Sequence, residues 1–367
     1  MYTIDDYIIW RGDLSFKENP FNEIDNLILS NIAYVRFTDI IKDQALTLKE
    51  ASDLFFKQDP SKQIVRDIKD LDFLKNASLT KRFGEIKLYN HQEVYDINTE
   101  TQFGAITFDL LNDDYYIAFR GTDNYIAGWK EDFNLSYMVI PSQKLALEYL
   151  TNIIDSISGF KKKIYVGGHS KGGNLAMYAS AHLKMKYFKK LTHIYNNDGP
   201  GFDFNLVDKT KFDKLLPILT TYTPKTSIVA SFFSKVGEFT IIDSNEFSFL
   251  EHDPYSWIVE GTKFKYENKV ADASLITKEK LDSWFLEFTY QERQNLASDI
   301  YNVILLSGAR NLNEILPSLL KNHKKVQKYL KTLDEKTGKT IASVISLLFT
   351  SISSSVGDNF KNLFKKD

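Results

Sequence analysis

The sequence predicts an α/β fold: a mostly parallel central sheet wrapped by helices, with helical extensions at both ends. Three observations predict it. Residues 84–260 alternate strand-like and helix-like segments, the pattern of strands joined by helical crossovers. Within them, residues 164–175 read Ile-Tyr-Val-Gly-Gly-His-Ser-Lys-Gly-Gly-Asn-Leu, an apolar β-rich run that meets a Gly-x-Ser-x-Gly pentapeptide and then a helix-compatible run. From about residue 261 onward strand-like alternation gives way to helical patterns. The chain therefore divides into a mainly helical region at 1–83, an α/β core at 84–260 and a helical region at 261–367.

In chain order, residues 47–57 read as a helix and Asp59-Pro60 as its break. Residues 86–89, 103–109 and 115–119 read as early strands, and 144–157 as a helix. A strand at 163–167, a helix at 171–186 and a strand at 191–196 follow, and 247–250 is again strand-like. Beyond the core, 274–286, 291–305, 312–330 and 340–356 read as helices. The last places Ile341, Val344, Ile345, Leu348, Ile352 and Val356 on one face, with Lys361, Lys365 and Lys366 near the end. That pattern admits an interfacial helix in peripheral contact with a membrane; its serine-rich, weakly charged polar face favours a helix packed on the protein instead.

Composition narrows the function. A chain of 367 residues with 43% hydrophobic content can bury a sizeable core, and a formal net charge of −2 offers no basic field for nucleic acid. The absence of cysteine excludes disulfides and a cysteine nucleophile, and no zinc-like spacing of His is present, so no metal or organic cofactor is expected. The opening Met1-Tyr2-Thr3-Ile4-Asp5-Asp6 lacks the charged-then-apolar profile of a signal peptide, and no apolar run approaches the roughly 18 residues that span a bilayer. A cytoplasmic protein is expected, with signal-less export open.

Strand, tight turn and helix in that order form the context of a nucleophile elbow. Ser170 would take a strained backbone conformation that exposes its hydroxyl, glycines on both sides would let neighbouring elements approach, and the Lys171 N–H would face a developing oxyanion. A second donor is needed, and the strand at 115–119 breaks at Gly121 into a polar loop where Thr122 offers an amide and a hydroxyl. A serine also needs a base. Of six histidines, His169 lies inside the elbow and should pack under the turn, His182 is too far along the next helix, and His193 lies in an apolar strand. His91 precedes the core strands and His323 belongs to the C-terminal helices, which leaves His252. For the acid, Asp198 follows a strand end and precedes Gly199-Pro200-Gly201; Asp243 is the runner-up, and Asp253 is too close to the histidine to orient its ring.

Phe119-Arg120-Gly121-Thr122, followed by Trp129 and Asp132-Phe133-Asn134-Leu135, resembles the oxyanion-loop signature of class 3 lipases. Gly-His-Ser-Lys-Gly-Gly-Asn-Leu-Ala resembles a variant of their elbow in which Lys171 stands where Leu is usual. That variant is similar to a lipase-like bacterial family of Gram-positive organisms, whose opening matches in residues 7–14 and 21–25, and which shares His252-Asp253-Pro254 and Trp257. The resemblance implies an α/β-hydrolase fold and a serine esterase or lipase acting on carboxylic esters, with lipid acyl esters or small molecules as substrates. Class 3 lipases usually carry the acid one strand later, but residues 223–229 offer no carboxylate, which moves the expectation to Asp198. Arg120 is expected to pair with a carboxylate such as Asp132, and the Lys171 side chain to face solvent or to greet a phosphate headgroup. A phospholipase acting at membranes and a non-catalytic scaffold that binds a protein partner remain alternatives, and the oligomeric state is open.

Overall fold

The structure is a computed structural model, and it describes residues 1–350 apart from 43, 124–125, 158–160, 228, 231, 272–286 and 310–311. An eight-stranded sheet runs through its middle, with strands adjacent in the order in which the chain makes them: β1 (Leu46–Thr47), β2 (Lys87–Asp96), β3 (Thr101–Asp109), β4 (Asp114–Phe119), β5 (Lys163–His169), β6 (Leu191–Asn197), β7 (Leu219–Pro224) and β8 (Phe239–Ile242). Strands β1 to β4 pair antiparallel and β4 to β8 pair parallel. A largely parallel sheet must be covered on both faces, and it is. This is the α/β class of fold, with a mostly parallel central sheet, that the sequence predicts.

The alternation of side chains along each strand fills two separate cores. Tyr116 and Ala118 of β4, Tyr165 of β5 and Tyr195 of β6 face a core shared with Ile24, Leu27 and Ile28. Those three come from α2 (Glu23–Ile32), which follows α1 (Ile4–Arg11). Ile117, Phe119, Ile164, Val166 and Ile194 face the other core, shared with Leu150, Ile153, Leu175 and Ala176. Each large apolar side chain removed from water in this way contributes about 1.5–3 kcal/mol.

The helices begin where local chemistry satisfies their free N–H groups. The Asn22 side chain accepts from the N–H of Ile24 and Asp25 at the start of α2, while Asp25 accepts from the N–H of Asn22. Thr47 and Glu50 cap α3 (Leu48–Lys57) in the same reciprocal way. Next come α4 (Lys69–Ser78), α5 (Lys81–Gly84), α6 (Ile126–Asn134), α7 (Pro141–Ser156), α8 (Lys171–His182), and the short α9 (Met185–Phe188) and α10 (Thr210–Asp213). The Arg82 guanidinium at the start of α5 meets the Asp25 carboxylate at 2.5 Å with both side chains fully buried, which locks the N-terminal helices together.

Several expectations need adjustment. β2 continues past residue 89 through His91 to Asp96, with a register shift between Tyr89 and Gln92, so His91 lies within the sheet. The stretch at 247–250 is no strand: Ser248–His252 forms a 3₁₀ turn. A small hairpin, β9 (Val259–Glu260) with β10 (Lys263–Phe264), reaches past residue 261.

Four further helices follow: α11 (Tyr290–Ser307), α12 (Leu312–Lys321), α13 (His323–Leu330) and α14 (Glu335–Thr350). The segment expected to be one helix at 312–330 is thus two, broken at Asn322. Leu296, Val303, Val326 and Ile341 from these helices bury together with Trp129, which docks the C-terminal helices on α6. The helix expected at 274–286 and the apolar stripe beyond residue 350 lie outside the described residues. Among the described residues no helix is long and apolar enough to cross a membrane.

Candidate active site

Four adjacent parallel strands deliver their carboxyl ends to one place, the usual location of a site in this kind of sheet. β4 ends at Phe119 and leads to Gly121-Thr122, β5 ends at His169 and leads to Ser170, β6 ends at Asn197 and leads to Asp198, and β7 ends at Pro224 and leads to Ser227. A surface recess of about 440 Å³, lined by Asp109, Asp113, Tyr115 and Lys162, opens at the opposite ends of β4 and β5.

Ser170 has φ 58° and ψ −131°, a conformation that an L-residue adopts at a cost of about 1–3 kcal/mol. The turn is held by the Ser170 N–H donating to the Asn197 carbonyl at 2.9 Å and by the Gly173 N–H donating back to the Ser170 carbonyl at 2.9 Å. The flanking glycines are required by contact: a Cβ on Gly168 would lie 2.4 Å from the Phe119 carbonyl oxygen, and one on Gly172 would lie 2.1 Å from the same atom. Gly121 is wedged between Tyr34 and the elbow, and a Cβ there would sit 3.2 Å from Ser170 Cβ. The loop carrying Thr122 is thereby pressed against the serine.

Asp198 also takes a positive φ, 53°, as β6 turns away, and its side chain is fully buried. It accepts three hydrogen bonds: Thr223 Oγ1 donates to Oδ1 at 2.8 Å, Ser227 Oγ to Oδ2 at 2.6 Å, and His252 Nδ1 to Oδ2 at 2.7 Å. The end of β7 and the residues just after it, which lack a carboxylate, thus supply the two hydroxyls that orient one. Asp243 is occupied elsewhere, between the ammonium groups of Lys225 at 2.5 Å and Lys265 at 2.7 Å. The structure brings Asp198, not Asp243, to His252.

His252 sits on the 3₁₀ turn after β8, which is braced by Trp257 Nε1 donating to the Glu251 carbonyl at 2.8 Å. Its ring lies 4.5 Å from that of His169, the residue before Ser170. His169 is buried, as expected of a residue under the turn, but it does more than fill space. Its Nε2 lies 2.7 Å from the His252 carbonyl oxygen and its Nδ1 lies 2.9 Å from the Tyr34 hydroxyl. Burial, with the neighbouring His252 adding to it, holds the His169 imidazole well below the usual histidine range, so it is neutral. A carbonyl can only accept, so Nε2 carries the proton, and Nδ1 accepts from Tyr34. His182 and His193 are occupied by the Tyr178 carbonyl and the Thr220 hydroxyl.

The oxyanion side differs from expectation. The Thr122 hydroxyl donates to Asp132 Oδ1 at 2.8 Å and so does not itself point at a reacting oxygen. Arg120 pairs with Glu93, not with Asp132, because β2 lies beside β3 and brings Glu93 opposite Gly104. The Lys171 side chain neither faces solvent nor is open to a headgroup: it is 1% exposed, with Nζ 2.8 Å from Glu131 Oε2. Burial disfavours this ammonium, but Glu131 and Asp132 outweigh the penalty and raise its pKa. Burial pushes the Asp132 carboxyl up to about 6, against the pull of Lys171 and the Thr122 hydroxyl. It likewise pushes the Glu251 carboxyl, beside His252, up to about 7.

His169, Thr223, Ser227, Tyr34 and Glu131 escape a sequence reading. Their roles depend on which strand ends become neighbours, which no local motif states.

No curated protein is significantly similar to the sequence. The crystal structure of M37 lipase is similar in part, with 21% identity, a TM-score of 0.39, and coverage of 57% of this chain and 70% of that one. The sequence matches the Mbeg1-like family over residues 77–302, more than half of its length and all of the strands from β2 to β10. That match, over more than half of its length, places the chain in the Mbeg1-like family.

Proposed function

We propose that this chain is a serine hydrolase that cleaves carboxylic esters. Ser170 Oγ attacks the ester carbonyl while His252 Nε2 takes the hydroxyl proton. The proton passes to the departing alkoxide, which leaves as an alcohol, and an acyl-enzyme remains. His252 then deprotonates a water that attacks the acyl carbon; the proton returns to Ser170 as the carboxylic acid departs. The N–H groups of Thr122 and Lys171 hold the oxyanion in both steps, as donors fixed before the reaction.

The hydrogen bond between His252 Nδ1 and Asp198 Oδ2 at 2.7 Å carries this reading. A carboxylate that accepts at Nδ1 leaves the basic lone pair at Nε2 and stabilises the imidazolium that forms. The positive φ of Ser170 supports it, since such strain is retained where the surroundings enforce it. The proton relay uses side chains alone and calls on no metal or organic cofactor.

The test is hydrolysis of a p-nitrophenyl ester series from acetate to palmitate, together with labelling by a fluorophosphonate. Ser170→Ala should abolish both and leave the melting temperature unchanged. A variant that turns over at the wild-type rate would remove Ser170 from the chemistry, and a folded wild-type protein that neither hydrolyses nor labels would favour a non-catalytic scaffold.

A further inference from the structure

The proposed mechanism uses the backbone of Lys171 and leaves its charge without a task. Yet that charge is expensively placed. Lys171 Nζ and the Glu131 carboxylate are 1% and 0% exposed, and taking two charges out of water costs more than an apolar side chain of the same size would. Glu131 is fully engaged: it also accepts from the N–H groups of Gln102 and Ser142, both at 3.1 Å, and from the Ser142 hydroxyl at 2.6 Å. Nζ donates in addition to the Gln102 carbonyl at 3.0 Å.

An apolar residue could fill this space but could not reach the next group. Nζ lies 3.8 Å from Asp132 Oδ1, the oxygen that accepts the Thr122 hydroxyl at 2.8 Å. The residue after the nucleophile is thus linked through charge to the side chain that fixes the oxyanion loop. Resting on the hydrolase reading above, we propose that Lys171 is a positioning residue: its ammonium ties α8 to Glu131 and Asp132 of α6, and through Asp132 it fixes the Thr122 N–H toward the reacting carbonyl.

The electrostatics agree with that geometry. The titratable groups facing Asp132 are Lys171 from α8, Glu131 from its own helix, His252 from the turn after β8 and Tyr34 from beyond α2, with the Thr122 hydroxyl as its hydrogen-bond donor. Burial raises the Asp132 carboxyl to about 6, and Lys171 is the strongest of the influences that hold it down, although 32% of the side chain still meets solvent. Without the ammonium, Asp132 would take up a proton at higher pH. A protonated carboxyl is itself a donor and no longer compels the Thr122 hydroxyl to point at it.

The test compares wild type with Lys171→Met/Glu131→Gln, a double change that removes both buried charges and keeps an amide for the Ser142 contacts. Esterase activity across pH 5–9 and backbone hydrogen exchange over residues 120–134 are measured together. The expected result is a kcat lower by about 10–100-fold with KM within about threefold, since small misplacements of oriented groups act on the chemical step. The acid limb of kcat should also move to higher pH, and exchange at residues 120–134 should quicken. A role in stability alone would move neither the acid limb nor the balance between kcat and KM.

If the double variant does not fold, Asp132→Asn carries the test, since that side chain reaches solvent; it should show the same faster exchange and the same loss of kcat. A folded variant with kcat within twofold of wild type and unchanged exchange would overturn the proposal. If wild type itself neither hydrolyses esters nor labels, the hydrolase reading falls, and the exchange comparison alone then decides whether Lys171 holds the loop.

Discussion

Replacing Asp198 by asparagine separates catalysis from folding. The carboxylate is fully buried, and its Oδ2 lies 2.7 Å from the ring nitrogen of His252, which in the proposed mechanism becomes part of a cation once Ser170 gives up its proton. Two unit charges about 4 Å apart, at an effective dielectric of about 20, attract by about 4 kcal/mol, or about 10³ in rate. Were the amide to flip and present its nitrogen to His252 instead of its oxygen, it would also select the wrong tautomer and add another factor of about ten. The expected loss in kcat is therefore about 10³–10⁴-fold.

Stability should respond differently. Asparagine keeps the shape of the side chain, its oxygen can still accept from Ser227 and His252, and the Thr223 hydroxyl can rotate to accept from the new amide. The melting temperature should change by less than about 2 °C, since about 1 kcal/mol shifts a chain larger than about 250 residues by no more than that. Steady-state hydrolysis of p-nitrophenyl butyrate, read beside a thermal scan, measures both. A kcat within tenfold of wild type in a folded Asp198→Asn protein would refute the role given to this carboxylate.

Gly172→Ala places a methyl 2.1 Å from the Phe119 carbonyl oxygen and should destabilise the fold by about 1–3 kcal/mol in urea titration while abolishing fluorophosphonate labelling. His169→Leu removes the donor to the His252 carbonyl and should lower kcat by about tenfold with little change in KM; an unchanged kcat would make His169 a packing residue alone. Glu251 is held near 7 in the fold against 4.5 when unfolded, so the native state keeps a proton that the unfolded chain releases, and stability declines as pH rises from about 4.5 to about 7. Glu251→Gln should therefore raise stability by up to about 3 kcal/mol at pH 8 and by far less at pH 4.5, whereas equal gains at both would contradict the assignment.

The elbow is legible in the sequence because its determinants are local. Strand, strained serine and crossing glycines occupy adjacent positions, and the structure places them as their spacing demands. Strands β2 to β6 are readable at their cores, where apolar runs are long, but β7 and β8 are not, nor is the end of β2, which continues past a register shift at Asn90 and His91 because β3 pairs with it again from Gln92. The same limit applies around the site. Arg120 has Asp132 within a plausible distance in sequence, yet takes Glu93 from the neighbouring strand. Lys171 reads as a surface residue because lysine usually is one; its burial depends on Glu131, which arrives from the helix that follows Thr122. Residues 223–229 lack an acid, and the pairing of β6 with β7 sets Thr223, with Ser227 just beyond, against a carboxylate one strand earlier.

The N-terminal helices have a consequence for anyone who shortens this protein. Asn26 and Ser30 of α2 bind the Asn197 side chain, and Tyr34 just beyond holds His169. The Tyr2 carbonyl accepts the N–H of Val259, a few residues past His252. A cleaved form beginning at the first long strand would keep every proposed reactive group and lose the struts behind two of them. Nicking near residue 40 followed by separation of the fragments should therefore quench turnover from more than a hundred positions away, and adding the N-terminal fragment back should restore it.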